Sequence, residues 1–277
     1  VSTSIITLGT GSPIPHPDRA GPATLVSRDG QHLLFDCGRG VVMRLAAAGV
    51  GPAQLHAVWL THLHSDHICD LSDVITTRWI TTFTPTPLDV VGPPGTAAHV
   101  DAVLASLAAD IGYRIAHHDD LDDPPMVRVH EIGPGEVLAG VPDGWSVQAA
   151  ATDHRPVTPT LGYRVATGTA TVAICGDTVP CDGLDEICAA SDAMVITAIR
   201  DDVVRSIGLP RLDDICGYHS SLDAAAHTAA AAGVATLVIT HHVPAPGPGD
   251  ADVITDRIAD HFGGAVVVAN DLDRIDI

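Results

Sequence analysis

Lysine is missing from this chain of 277 residues, and all 14 basic residues are arginine. Against them stand 34 acidic residues, giving a formal net charge of −20. The arginines form no cluster of the kind that grips phosphate backbones through counterion release, so nucleic acid is disfavoured as a partner. Aromatics make up only 3% of residues, so the core has to come from Val, Ile, Leu and Ala. No stretch approaches the ~18 consecutive apolar residues of a membrane span. The first residues carry no basic segment ahead of an apolar one, so no signal peptide is expected. The six cysteines (Cys37, Cys69, Cys175, Cys181, Cys188, Cys216) form no CxxC pair. They read as reduced, mostly buried thiols in a cytoplasmic protein. No repeat of fixed period is present, which excludes a solenoid, and 46% hydrophobic residues exclude disorder.

What is present alternates short apolar runs with turns. Ser4–Leu8, Ala23–Ser27 and His32–Asp36 read as strands, the last two joined by a hairpin turn at Asp29-Gly30. Val41, Val42, Leu45 and Ala48 fall at helical spacing before Gly49. Ala57–Leu60 and Leu88–Val91 read as buried strands, and a helix runs through Val103, Leu104 and Leu107. Further strands are expected at Val127–His130, Ser146–Ala150, Gly162–Ala166, Ala170–Ile174, Ala193–Thr197 and Thr236–Thr240. An Ala-rich helix covers Leu222–Ala232, with Ser221 as its cap and Gly233 as its stop. A hairpin-rich half followed by strands alternating with helices implies two packed sheets with helices outside. With no linker in sight, residues 1–277 read as one domain.

Thr61-His62-Leu63-His64-Ser65-Asp66-His67 follows the strand Ala57–Leu60 directly. Three imidazoles and a carboxylate this close together are foreign to a packed core. They suit zinc, with manganese or iron as rivals. The run HxHxDH resembles the signature of the metallo-β-lactamase superfamily. Leu8-Gly9-Thr10-Gly11-Ser12-Pro13, Phe35-Asp36-Cys37-Gly38, Gly92-Pro93-Pro94-Gly95, His154, Gly176-Asp177, Tyr218-His219-Ser220-Ser221 and Thr240-His241 extend the likeness over nearly the whole chain. In this order they look most like the ribonuclease Z and phosphodiesterase branch.

That resemblance implies a four-layer αββα sandwich of the α/β class and two bound ions, most simply zinc. His62, His64 and His154 would hold the first ion and Asp66, His67 and His241 the second, with Asp177 bridging. His242 stands as the neighbour that competes with His241. Asp66 and His219 are the catalytic candidates, His219 as the acid that protonates the leaving oxygen. Each distant candidate follows a short apolar strand, where a rigid sheet can aim it.

Two departures from the branch bear on substrate. The Glu of the His-Glu-Ala-Thr segment that orients the acid is absent, since Ile196-Thr197-Ala198-Ile199 stands there, and Asp201 or Asp202 is the expected substitute. The turn Thr167-Gly168-Thr169 leaves no room for a tRNA-gripping arm between its flanking strands. With the acidic charge, these features favour hydrolysis of a small or cyclic phosphodiester. The alternatives are a ribonuclease Z-type tRNA 3′ endonuclease, a lactone, thioester, β-lactam or sulfate ester hydrolase, and a metal-stabilised binding protein without activity. No membrane partner is expected, and a homodimer is compatible with the sequence. Trp79, Phe83 and Arg19 are candidate cleft residues, whereas His117-His118-Asp119-Asp120 reads as a solvated loop.

Overall fold

The computed structural model describes residues 2–84, 86–136 and 141–277. In the first part of the chain the strands are Ser4–Gly9 (β1), Ala23–Arg28 (β2), Gln31–Phe35 (β3), Ala57–Trp59 (β4), Leu88–Gly92 (β5) and Val127–Glu131 (β6). Between them lie the helices Val41–Ala47 (α1), Ser65–Ile68 (α2), Leu71–Thr81 (α3), Thr96–Ser106 (α4) and Ala108–His117 (α5). The second part adds Ser146–Ala151 (β7), Leu161–Ala166 (β8), Thr171–Ile174 (β9), Ala193–Ile199 (β10), Ser220–Ser221 (β11), Thr236–Thr240 (β12), Ala265–Val268 (β13) and Asp273–Asp276 (β14). Its helices are Asp182–Cys188 (α6), Asp201–Ser206 (α7), Pro210–Ile215 (α8), Leu222–Ala232 (α9) and Asp250–Ala259 (α10).

Two sheets result, in the orders β14-β1-β2-β3-β4-β5-β6 and β13-β12-β10-β9-β8-β7, with β11 beside β10. The central strands, such as β3, β4, β5, β10 and β12, are buried on both faces because each sheet is covered on both. Ile5, Val26, Leu33, Trp59 and Val91 point inward, against Val147, Tyr163, Val165, Val172 and Val195 of the other sheet. Their neighbours Ile6, Leu25, Leu34, Val58 and Val90 point outward under α1, α3 and α4. Met194, Ile196, Leu237 and Ile239 likewise point outward under α6, α9 and α10. The period-2 alternation therefore builds helix, sheet, sheet and helix layers, the expected αββα sandwich. One strand breaks the tidy division into halves: β14 returns to the first sheet and pairs with β1, Ile5 opposite Ile275.

Three of the nine aromatic residues meet between the sheets. Phe35, Trp59 and Tyr163 are buried together, with ring centroids 5.3 to 6.1 Å apart. The Tyr163 hydroxyl donates to the Leu60 carbonyl at 2.6 Å, and the Leu161 amide donates to the Thr61 carbonyl at 2.9 Å. The second sheet thus grips the backbone from which His62 and His64 project. Tyr163→Phe keeps the ring and strands the Leu60 carbonyl in a dry interface, so it should cost about 1–3 kcal/mol. Denaturant unfolding checks this, and an unchanged midpoint would contradict it.

Candidate metal centre

Strand direction brings the donors together. β4 runs parallel to β3 and β5, and β10 runs parallel to both β9 and β12. β7 is antiparallel to β8, and β8 to β9, so β7 runs the same way as β9. The segment His62–His67 follows the carboxyl end of β4, His154 that of β7, Asp177 that of β9 and His241 that of β12. Ligands in open α/β sheets collect at such ends for the same reason: the loops there are carried by rigid strands.

Among the described residues, two groups of donors have ligand atoms that all lie within 4.8 Å of one another: His62, His64, His154 and Asp177, and then Asp66, His67 and His241. His64 Nδ1 is 3.0 Å from His62 Nε2 and 3.3 Å from His154 Nε2. His241 Nε2 is 3.1 Å from Asp66 Oδ2. Asp177 Oδ2 joins the groups, 3.9 and 3.8 Å from His62 and His154 Nε2 and 3.4 and 3.5 Å from His67 and His241 Nε2. All seven expected donors meet here. His242 turns away, its Nε2 donating to the Ala269 carbonyl at 2.8 Å, and burial pushes its pKa down to about 4.

The hydrogen bonds decide which nitrogens are bare. His154 Nδ1 donates to the Tyr218 carbonyl at 2.7 Å, leaving Nε2 with its lone pair toward the cluster. Thr61 Oγ1 donates to Asp36 at 2.9 Å and accepts from His62 Nδ1 at 3.0 Å, which bares His62 Nε2 in the same way. His67 Nδ1 donates to Asp36 Oδ2 at 2.7 Å, and its buried Nε2 has no hydrogen-bond partner among the described residues. The bare Nε2 lone pairs of His62 and His154 and the Asp177 carboxylate facing them in a buried site repel unless a cation lies between them. A tetrahedral ion with bonds of about 2.0–2.1 Å sets its ligand atoms roughly 3.3 Å apart. The donor set, its spacing and its bare nitrogens therefore fit divalent metal. Each outer nitrogen held by a fixed acceptor also aims its ring, as ligating histidines require.

The supports are backbone-deep. Asp36, which reading the sequence left without a role, takes a left-handed φ of 58° and accepts from the Thr61 amide at 2.8 Å as well as from His67. Its signal was an acid placed immediately after a buried strand. Gly38 has no room for a side chain, since a Cβ there would lie 2.6 Å from the Asp66 carbonyl oxygen. At Gly176, φ is +63°, and a Cβ would lie 2.9 Å from that of Thr61. Burial, reinforced by His67, holds His62 well below the usual imidazole range, in the neutral form that binds metal. For Asp177, burial raises the pKa, but His241 and His67 outweigh it and hold the carboxyl well below its ordinary range.

A family model described as a beta-lactamase superfamily domain matches residues 31–242. A ribonuclease Z of Mycobacterium bovis (strain BCG / Pasteur 1173P2) is 55% identical over 275 residues, covering 99% of this chain and 98% of its own. One from Mycolicibacterium paratuberculosis is 56% identical over 272 residues, covering 98% and 96%. The chain belongs to the metallo-β-lactamase superfamily and, within it, to the ribonuclease Z family. The fold of human tRNase Z, short form, superposes with a TM-score of 0.72 at 23% identity over 98% of both chains. The metallo-β-lactamase fold protein YhfI from Bacillus subtilis gives 0.77 at 19% identity over all of both. Family and donor clusters together make the chain a metal-dependent hydrolase that takes a divalent ion.

Other residues singled out in the sequence lie elsewhere. His219 does reach the cluster, its Nε2 3.4 Å from Asp177 Oδ2. Neither Asp201 nor Asp202 orients it, contrary to expectation. Arg257 pairs with both at 3.0 Å and Arg200 with Asp202 at 2.8 Å, while His219 Nδ1 donates to the Ile215 carbonyl at 2.9 Å. Trp79 and Phe83 line a separate pocket with Leu88 and Met126 that includes none of the seven donors. Arg19 is held by Thr10, Ala269 and Asn270. His117, His118, Asp119 and Asp120 are exposed, as expected. The β8–β9 turn is tight, with the Thr167 amide on the Ala170 carbonyl at 2.9 Å.

In the metal-free protein, burial lowers the pKa of His67, but Asp177 and Asp36 outweigh it and raise the pKa well above its ordinary value. A metal must displace that proton. Apparent affinity should therefore fall as pH falls, by about tenfold per unit for each proton displaced. Competitive chelator titrations between pH 8 and 6 measure the slope, and a flat profile would contradict the assignment.

Proposed function

We propose that the chain is a ribonuclease Z, cutting the phosphodiester backbone of precursor tRNA at its 3′ side, with residues 1–277 forming one domain. The observation that carries this reading is the convergence of five histidines, His219 among them, on one carboxylate oxygen of Asp177, in a chain 55% identical end to end with ribonucleases Z. Two ions fit the donor count: one with His62, His64 and His154, the other with Asp66, His67 and His241, and Asp177 shared. Zinc suits imidazole and carboxylate best, with manganese or iron as substitutes. When bound, such ions supply a water acidified toward neutrality and positive charge against the developing phosphoryl charge.

The remaining chemistry falls to side chains. His219 Nδ1 is committed to the Ile215 carbonyl, so the ring cannot turn and Nε2 is the nitrogen that faces the cleft. It can pass a proton to the departing ribose oxygen, the role an imidazole fills near neutrality. Asp66 holds its place against His241, fixing the far side of the cleft.

The charge of −20 and the tight β8–β9 turn favoured a small or cyclic phosphodiester, but full-length identity weighs more. Net charge averages over the surface, whereas a polyanion reads the local field. Exposed Arg39 follows Gly38, which abuts Asp66, and exposed Arg155 directly follows His154, although it pairs with Asp153 at 2.6 Å.

Site-specific cleavage of precursor tRNA at physiological salt, weakening steeply as salt rises, is expected. Hydrolysis of bis-(p-nitrophenyl) phosphate without tRNA cleavage would return the small phosphodiester as the substrate. His219→Ala should keep its metal content yet lose about 10²–10⁴-fold on a diester with a poor leaving group. The loss should shrink for p-nitrophenolate, which departs without a proton. Equal losses on both substrates would make His219 structural instead.

A further inference from the structure

The two oxygens of Asp177 face different surroundings. Oδ2 is the atom within 3.4 to 3.9 Å of His62, His67, His154, His219 and His241. Oδ1 accepts a hydrogen bond from the Thr197 hydroxyl at 2.6 Å. A hydroxyl on a carboxylate at this distance belongs to the short, charge-assisted class, about twice as strong as a neutral hydrogen bond. Both residues are buried, Thr197 at 2% exposure and Asp177 at 3%, so water does not compete for either oxygen.

Thr197 is placed to hold the carboxylate still. It lies on β10, between β9, which leads into Asp177, and β12, which leads into His241. Its register partner on β12 is Thr240, the residue before His241. A β-branched side chain on a central strand has little freedom at χ1, so the hydroxyl position is set by the sheet. The Asp177 carboxylate, by contrast, turns on a soft terminal torsion. Without a fixed donor at Oδ1, nothing among its contacts distinguishes the two oxygens.

We propose that Thr197 is a positioning residue that pins Oδ1 of Asp177 and so presents a single oxygen, Oδ2, to both metal ions. The proposal rests on the two-ion reading of the site. It predicts that metal binding depends on the Thr197 hydroxyl rather than on its volume. Thr197→Val, close in shape, should weaken uptake of the less tightly held ion by about 10–100-fold, the usual effect of losing a partner that orients a ligand. Thr197→Ser should restore it to near the unsubstituted level.

The test is zinc stoichiometry and affinity by chelator competition on the full chain, together with manganese electron paramagnetic resonance. The unsubstituted protein and Thr197→Ser should take up two ions and show the coupled spectrum of a bridged pair. Thr197→Val should lose the coupling. Two tightly bound, coupled ions in Thr197→Val would overturn the proposal. So would a Thr197→Ser protein as impaired as Thr197→Val, because volume and not the hydroxyl would then matter. If Thr197→Val does not fold, Thr197→Ser and Thr197→Ala supply the same contrast. An unsubstituted protein that takes up only one ion would overturn the two-ion reading, and this proposal with it.

Discussion

A carboxylate buried among imidazoles governs this molecule. Asp177 is 3% exposed, and one of its oxygens faces five histidine rings. Taken alone, such a charge in a dry interior costs several kcal/mol, and only cations around it offset that cost. The histidines around it, His241 and His67 foremost, favour its charged form, and a divalent ion would supply the same positive charge. Satisfying this one group accounts for much of what surrounds it. Four strands deliver their carboxyl ends to the same place, Gly38 and Gly176 leave room for the Asp66 backbone and the Thr61 side chain, and Asp36 and His241 accept left-handed φ values of 58° and 50°. Strain of this kind persists where surrounding contacts over-determine it, and here those contacts converge on the donors.

The rest of the sandwich serves as a mount. Tyr163, Trp59 and Phe35 lock the sheets together directly beneath the segment Thr61–His67. A chain with nine aromatic residues spends three of them there. That choice is intelligible because each large ring buries far more apolar area than Val or Ala and packs with a preferred geometry. Precision at the donors therefore originates in the layer below them.

Much of this was legible in the amino-acid order. HxHxDH after a strand announces a metal site, and the distant donors declare themselves by following apolar runs. The cap and stop of α9 were also readable, with Ser221 accepting from the Ala224 amide at 3.2 Å and Gly233 at φ 71°. The helix α3 was not, because Val74, Ile75, Thr76 and Thr77 favour a strand locally, and burial of Leu71, Val74 and Ile75 against the first sheet decides otherwise. β14 was hidden as well, since its short, mostly charged run Asp-Arg-Ile-Asp acquires meaning only when β1 lies beside it. The hydrogen bond of Thr197 to Asp177 had no local signal, and Asp36 had only that of an acid directly after a buried strand, because a hydrogen bond spanning 20 or more residues exists only in the fold. Net charge was the least informative reading, because a whole-chain sum says nothing about where individual arginines lie.

Two ions sharing Asp177 are the arrangement on which everything else at the site depends. Its most direct test is a crystal structure of zinc-loaded protein with anomalous data collected on both sides of the zinc edge. Two peaks are predicted, one enclosed by His62, His64 and His154 and the other by Asp66, His67 and His241, with Asp177 Oδ2 between them. A single peak, or a second one bound away from Asp177, would contradict it.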